Sequence, residues 1–258
     1  MSRAKAGAAP RPRAFVRVSG PDAADYLQRM VSNDVEALAV GSSCEALLLT
    51  SKARVIAPLR VWRRGEDDFL LLTEPELGEV VLSQLSRTRF AARCEIEPEE
   101  HRSVLVLGRG EGGIENEDYG VPAVEVLDED VTADPVSQQE LERLRILART
   151  PRWGRELDDR VLPAEAGLTD RAVSFSKGCY PGQEPIARLH YRGHVNRSLR
   201  VLELDDSAAP MPETEIRLGE KAVGRITSAV PGLALAYVRV DVPDGAELDV
   251  GGQRARLH

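Results

Sequence analysis

Apolar positions along this chain recur either in alternation over short runs or at helical spacing over slightly longer ones, which predicts strands mixed with brief helices. Ala14 to Val18 reads as a first strand. Behind Pro21-Asp22, the residues Ala23, Tyr26, Leu27, Met30 and Val31 repeat at helical spacing and run into the turn-forming Ser32-Asn33-Asp34. Strands follow at 44–50, 54–62 and 68–73, and a helix at 75–87 places Leu77, Val80, Val81 and Leu85 on one face. Further strands are expected near 93–97, 103–107 and 121–127, and Asp134-Pro135 opens a helix carrying Leu141, Leu144, Ile146 and Leu147. From Asn196 the pattern changes to short β-branched runs split by Pro and Gly, with Gly251-Gly252 as a hairpin turn. The expected organisation is a frayed, small-residue tail over 1–13, an α+β region over 14–196 and a small all-β domain over 197–258.

Composition narrows the classes. The 258 residues carry 34 Lys+Arg against 42 Asp+Glu, a net charge of −8, so no nucleic-acid partner is expected. No apolar run approaches the ~18–20 residues of a membrane helix, and the N-terminus lacks the apolar stretch of a signal peptide. A cytoplasmic protein with no membrane association is the expectation. Cys44, Cys94 and Cys179 cannot supply four thiolates, which excludes a zinc ribbon or a self-contained all-Cys iron–sulfur site, and no metal ligands are assigned. Twelve acids and only two arginines lie between Cys94 and Asp130, around a loop from Gly108 to Gly113, and a solvated acidic face is the ordinary reading.

Chemistry concentrates between Ser174 and Ser198. Lys177-Gly178-Cys179-Tyr180-Pro181-Gly182 sets a thiol in a Gly/Pro-shaped loop, and a helix with Pro185 in its first turn follows. A thiol facing a helix N-terminus, two residues from one of only four lysines in the chain, receives two influences that favour thiolate. The other reading is a tight turn with a buried thiol, and the residues alone leave both open. Between Arg171 and Arg200 stand six Lys/Arg and one acid, Glu184, a local excess that suits an anionic ligand. His190 and His194 read equally as bases for Cys179 or as surface residues. Hydrolase, zinc-protease and P-loop motifs are absent.

The run K-G-C-Y-P-G-Q-E, Lys177 to Glu184, resembles the signature of the YgfZ family of folate-binding proteins, relatives of the glycine-cleavage T-protein, a tetrahydrofolate-dependent aminomethyltransferase. Phe15 to Val35 resembles the opening strand, helix and "ND" turn of that superfamily. Gly154 to Leu168 resembles the segment leading to its folate site, and Val223 to Val238 its C-terminal barrel. The resemblance implies a T-protein-like α+β body of ferredoxin-like subdomains over 14–196, set with a C-terminal antiparallel β-barrel around a central cavity. It implies tetrahydrofolate as cofactor, with Glu165 accepting hydrogen bonds from the pterin. Arg188 and Arg192 are candidates for the folate carboxylates, Tyr180 for a further contact, and Lys177 and Cys179 for the working pair. Iron–sulfur client or assembly proteins are the implied partners.

One departure limits the analogy. The T-protein carries an Asp-Asp pair in the strand aligned with Val55 to Leu59, where this chain has Ala57 and Pro58. Neither side chain can accept a proton, so aminomethyl transfer by that route is not expected, and Pro58 reads simply as an edge-strand proline. A folate-dependent one-carbon transferase or demethylase is the alternative function.

Overall fold

The computed structural model describes residues 7–108, 112–205 and 208–257. The first six residues of the expected tail and 109–111 of the glycine loop lie outside the described residues. Strands β1 (Gly7–Pro10) and β2 (Ala14–Ser19) precede α1 (Ala23–Met30), β3 (Ser43–Leu49), β4 (Val55–Gly65) and β5 (Asp68–Thr73). A 3-10 turn at Pro75–Leu77 leads into α2 (Gly78–Thr88), β6 (Glu95–Glu99), β7 (Ser103–Leu107), β8 (Ile114–Glu115) and β9 (Ala123–Leu127). Helices α3 (Gln138–Leu147), α4 (Thr169–Ala172) and α5 (Gln183–Arg192) follow. The chain closes with β10 (Arg197–Leu204), β11 (Glu215–Leu218), β12 (Lys221–Val230), β13 (Leu233–Arg239), β14 (Glu247–Val250) and β15 (Gln253–Leu257).

The first sheet is antiparallel in the order β3-β4-β5-β2-β6. Without β3, the order β4-β5-β2-β6, with a helix after β2 and another after β5, is ferredoxin-like. The helical spacing read from the sequence works here as packing. Ala23, Tyr26 and Leu27 of α1 and Val81 and Leu85 of α2 bury against Val16, Val18, Phe69 and Leu71. Each large apolar side chain so removed from water contributes roughly 1.5–3 kcal/mol.

A second sheet, β1-β7-β9-β8, corrects the expected tail. Gly7–Pro10 pairs antiparallel with β7, from Gly7↔Leu107 to Pro10↔Val104. On its other side, the Ala8 amide donates to Asp134 O (2.8 Å) and Val136 N donates to Ala8 O (2.9 Å). These small residues have little strand propensity, and partners a hundred residues away hold them extended. The same pairing moves the start of α3. Asp134 to Val136 is spent on β1, and the helix begins behind Ser137, whose hydroxyl accepts the Glu140 amide at 3.1 Å.

Strands β10 to β15 form a closed barrel in the order β10-β13-β12-β11-β14-β15. Leu202, Ile216, Ile226, Ala236 and Leu248 fill its interior. A further apolar cluster ties the parts together, drawing Leu47 and Leu49 from β3, Ile146 from α3, Tyr180 and Ile186 from the signature region and Leu199 and Tyr237 from the barrel. Among the described residues no helix is long and apolar enough to cross a membrane.

Candidate functional site

Two of the motifs read from the sequence meet in space. Ser32 Oγ donates to Ala172 O (2.6 Å), 140 residues away, and accepts the Leu47 amide (2.8 Å). Ser174 N donates to Ser32 O (2.9 Å), and Asn33 Nδ2 donates to Glu45 O (2.7 Å). The signature loop is thus laid along the Ser32-Asn33-Asp34 turn. Gly182 closes its far end with φ +84°, and a Cβ there would stand 2.7 Å from Thr50 O and 3.0 Å from Ala53 Cα. Only glycine permits that approach.

Lys177 supplies the strongest anchor. Its Nζ donates to Val31 O (2.7 Å) and Asn33 O (2.8 Å) and lies 5.3 Å from the centre of the Tyr180 ring. Burial pushes this ammonium down to about 8, against smaller opposing pulls from Asp34 and Cys44. The ammonium is thus spent on the carbonyls of the turn, and no hydrogen bond joins it to Cys179 among the described residues. Its charge acts on half-buried Cys44 of β3, a thiol that burial pushes up to about 12. Cys179 is exposed, three residues ahead of the Gly182 cap of α5, and accepts or donates no hydrogen bond among the described residues. The buried-thiol reading of the loop does not hold. Tyr180 is itself buried, its hydroxyl unpartnered and pushed up to about 12 by that burial.

A cleft of about 570 Å³ runs between α5 and the segment 162–170, lined by Leu162, Pro163, Ile186, Leu189, Arg188 and Arg192 among others. That size suits a small organic ligand. The six basic residues counted between Arg171 and Arg200 separate here. Arg171 pairs with Glu45 and Asp118, Arg197 with Glu165 and Arg200 with Asp244, and Lys177 is held by carbonyls. Only Arg188 and Arg192 keep exposed guanidinium groups without a partner among the described residues. His190 and His194 also line the cleft, and His190 stacks on Phe175 at 4.1 Å; neither bonds to Cys179.

Glu165 is less open than the sequence suggested. Its carboxylate pairs with Arg197 (3.1 Å) and accepts the Leu162 amide (3.2 Å), while Arg197 lies 4.6 Å from the centre of the Tyr237 ring. Its neighbours Ala164 and Gly167 line the α5 cleft, and the carboxylate itself faces the barrel wall.

A second cleft lies at the centre, between the two sheets, and ion pairs nearly fill it. Arg11, Arg13, Arg60 and Arg171 interleave with Glu45, Glu74, Asp118 and Glu125. The contacts include Arg13–Glu125 at 2.5 Å, Arg11–Glu74 at 2.9 Å and Arg171–Asp118 at 3.1 Å. About 60 Å³ remains open, the share of roughly two water molecules. Two members, Asp118 and Glu125, come from the acid-rich stretch and depart from the solvated face expected there, which Glu95, Glu97, Glu115, Glu117 and Asp128 to Asp130 keep by being exposed. Glu125 is fully buried, and although burial raises its carboxyl, the charge of Arg13 outweighs this and holds it at about 2. Asp118 is held below the ordinary carboxylate range in the same way, burial being overcome by Arg60 and Arg13.

Pro58 lines this central cleft and Ala57 is fully buried. The edge-strand reading of Pro58 fails, because β4 lies between β3 and β5. The proline is tolerated because β5 ends at Thr73, whose hydroxyl donates to Pro58 O at 2.8 Å, so no ladder bond needs its missing N–H. Sequence reading also missed Glu156, a fully buried acid that joins Arg145 of α3 (3.0 Å) to Ser228 of the barrel (2.7 Å). One acid among several in a polar segment, with Asp158 and Asp159 close behind it, carries no local signal of such a role.

Comparison with known proteins divides the chain in a similar way. Residues 14–107 match the GCVT N-terminal domain, and residues 196–258 match the CAF17 C-terminal beta-barrel domain. The crystal structure of glycine cleavage system aminomethyltransferase T from Bartonella henselae is similar with a TM-score of 0.84 at 19% identity, covering 100% of this chain and 86% of that one. An aminomethyltransferase of Listeria welshimeri is 24% identical over 293 residues, 92% of this chain and 79% of the relative. The fold is therefore that of the aminomethyltransferase T class, ending in a CAF17-type barrel. A protein of Pectobacterium carotovorum named tRNA-modifying protein YgfZ is 29% identical over 252 residues, 80% of this chain and 73% of its own length. Within the class, the chain belongs to the YgfZ family.

Proposed function

We propose that this protein is a tetrahydrofolate-binding accessory factor of the cytoplasm that serves the assembly or repair of iron–sulfur clusters in other enzymes through Cys179. The observation that carries the reading is an exposed thiol on a loop pinned from both ends, at the head of the helix that carries two free arginines into a cleft of about 570 Å³. Lys177 acts here as the anchor of that loop. A single cysteine provides one ligand or one nucleophile, so a cluster would be shared with a client that brings the remaining ligands.

Tetrahydrofolate, a carrier of one-carbon units, fits the α5 cleft in size and chemistry. Arg188 and Arg192 offer planar, paired donors to its glutamate carboxylates. Glu165 stands between Ala164 and Gly167 of the cleft wall and would receive the pterin N–H groups only by leaving Arg197 and turning from the barrel wall toward the cleft, with Tyr180 behind the loop. The central cleft, with about 60 Å³ open, is too small for the ligand and holds no acid at the Ala57 and Pro58 positions. That supports an accessory role over the alternative of aminomethyl transfer or demethylation.

The deciding experiment is complementation of a strain lacking its own family member, with iron–sulfur enzyme activity as the readout. Cys179→Ala is expected to fail, and full rescue by that variant removes the thiol from the function. Robust turnover of tetrahydrofolate with glycine-cleavage partners or methylated amines would instead favour the transferase.

A further inference from the structure

Beside the signature loop lies a groove of about 540 Å³ between α1 and the turn after α2, which shares no lining residue with the α5 cleft. Tyr26, Met30, Arg89, Phe90, Ala92 and Pro181 line it, and Pro181 is two residues from Cys179. Phe90 on its lip is 89% exposed and holds φ +45°. A left-handed conformation is unfavourable for a bulky side chain, and a phenyl ring in water gains nothing from folding. Two local costs at one residue, with no compensating contact among the described residues, point to a contact outside the chain.

The charges around the groove indicate what kind. Arg29 pairs with Asp25 and Arg93 with Asp22, so these four are neutralised within the chain. Arg89 of the groove lining and Arg87, two residues before it, are exposed, bond only to the Cys94 carbonyl and to Gln84, and meet no carboxylate among the described residues. In a chain of net charge −8 this leaves a local positive field around an apolar groove. One exposed aromatic ring, Phe90, the other ring Tyr26 being buried, and two free cations fall short of the successive rings and basic track that a nucleic-acid strand needs.

We infer that this groove docks an acidic segment of the client protein through an apolar anchor set against Phe90, bringing the client to Cys179. The inference rests on the accessory role proposed above. Its test uses a labelled synthetic peptide with one Phe among Asp and Glu residues, a control with Lys in place of the acids, and an oligouridylate, all followed by fluorescence anisotropy with the full chain. The acidic peptide is expected to bind, and Phe90→Gly or Arg87→Glu with Arg89→Glu to weaken it about tenfold. Phe90→Gly should also raise the melting midpoint, since glycine accepts this φ, and should leave Cys179 alkylation unchanged. In complementation it should fail as Cys179→Ala does.

Four results would overturn the inference: no binding of the acidic peptide, equal binding of the lysine peptide, tighter binding of the oligouridylate, or full rescue by Phe90→Gly. A Phe90-dependent dimer in sedimentation would assign the groove to a second copy instead. Full rescue by Cys179→Ala, by contrast, defeats the accessory role itself, so the two failures are distinguishable.

Discussion

Two clefts of this protein, the central one and the α5 cleft, are both edged by arginine, and they have opposite fates. In the central one, Arg11, Arg13, Arg60 and Arg171 each meet a carboxylate from the same chain, and about 60 Å³ stays open. In the α5 cleft, Arg188 and Arg192 stand on an exposed helix face with no ion-pair partner among the described residues, beside about 570 Å³ of open space. A count of basic residues therefore does not locate a binding site. What decides is whether the opposing charge comes from the chain itself, making the arginine part of the core, or is left for a ligand to bring.

The comparison breaks most readily at Asp118. Asp118→Ala leaves the buried charges of Arg13, Arg60 and Arg171 short of a partner and should cost about 3–5 kcal/mol in urea unfolding. If the clefts are independent, folate titration under native conditions should be unaffected; a joint loss would merge them into one site. The same experiment on the other side sharpens the contrast. Arg188→Ala with Arg192→Ala should leave unfolding within about 0.5 kcal/mol of the parent, because neither guanidinium is bonded in the fold. Tetrahydrofolate affinity should fall about tenfold, or roughly 1.4 kcal/mol, and more steeply at low salt.

A more gradual effect, spread over the pH scale, belongs to the loop that joins the two regions. Lys177 titrates near pH 8 in the fold and near 10.5 when unfolded, so between these values the unfolded chain holds a proton that the folded chain has released. Stability should therefore rise with pH across that window, by up to about 1.4 kcal/mol per unit, and the rise should be absent in Lys177→Met. A profile identical in parent and variant would mean that the ammonium is not buried against Val31 and Asn33.

Much of the local structure was legible because it is set locally. The strand at Ala14, the helix behind Asp22, the helix opening at Gln183 and the Gly251-Gly252 hairpin all follow from spacing, caps and turn residues that lie within a few positions of one another. The exceptions share one cause. Gly7–Pro10 is extended because β7 and the 134–136 segment flank it, and α3 begins at Ser137 because that segment is already engaged. Glu125 and Asp118 looked like solvated acids because their arginine partners lie far away in sequence, Arg13 being 112 residues from Glu125.

The candidate site divides along the same line. The sequence by itself determined the thiol in a Gly/Pro loop, the helix behind it, the family likeness and the lack of an acid at Ala57 and Pro58. These are matters of residue identity and short-range geometry, which survive in one dimension. Only the tertiary structure decided that Lys177 grips the Ser32-Asn33-Asp34 turn rather than Cys179, that Glu165 is held by Arg197, and that of six basic residues two remain free. Whether a charged side chain is spent or available depends on what the fold brings within about 4 Å of it, and electrostatic partners at that range are set by the packing of distant segments.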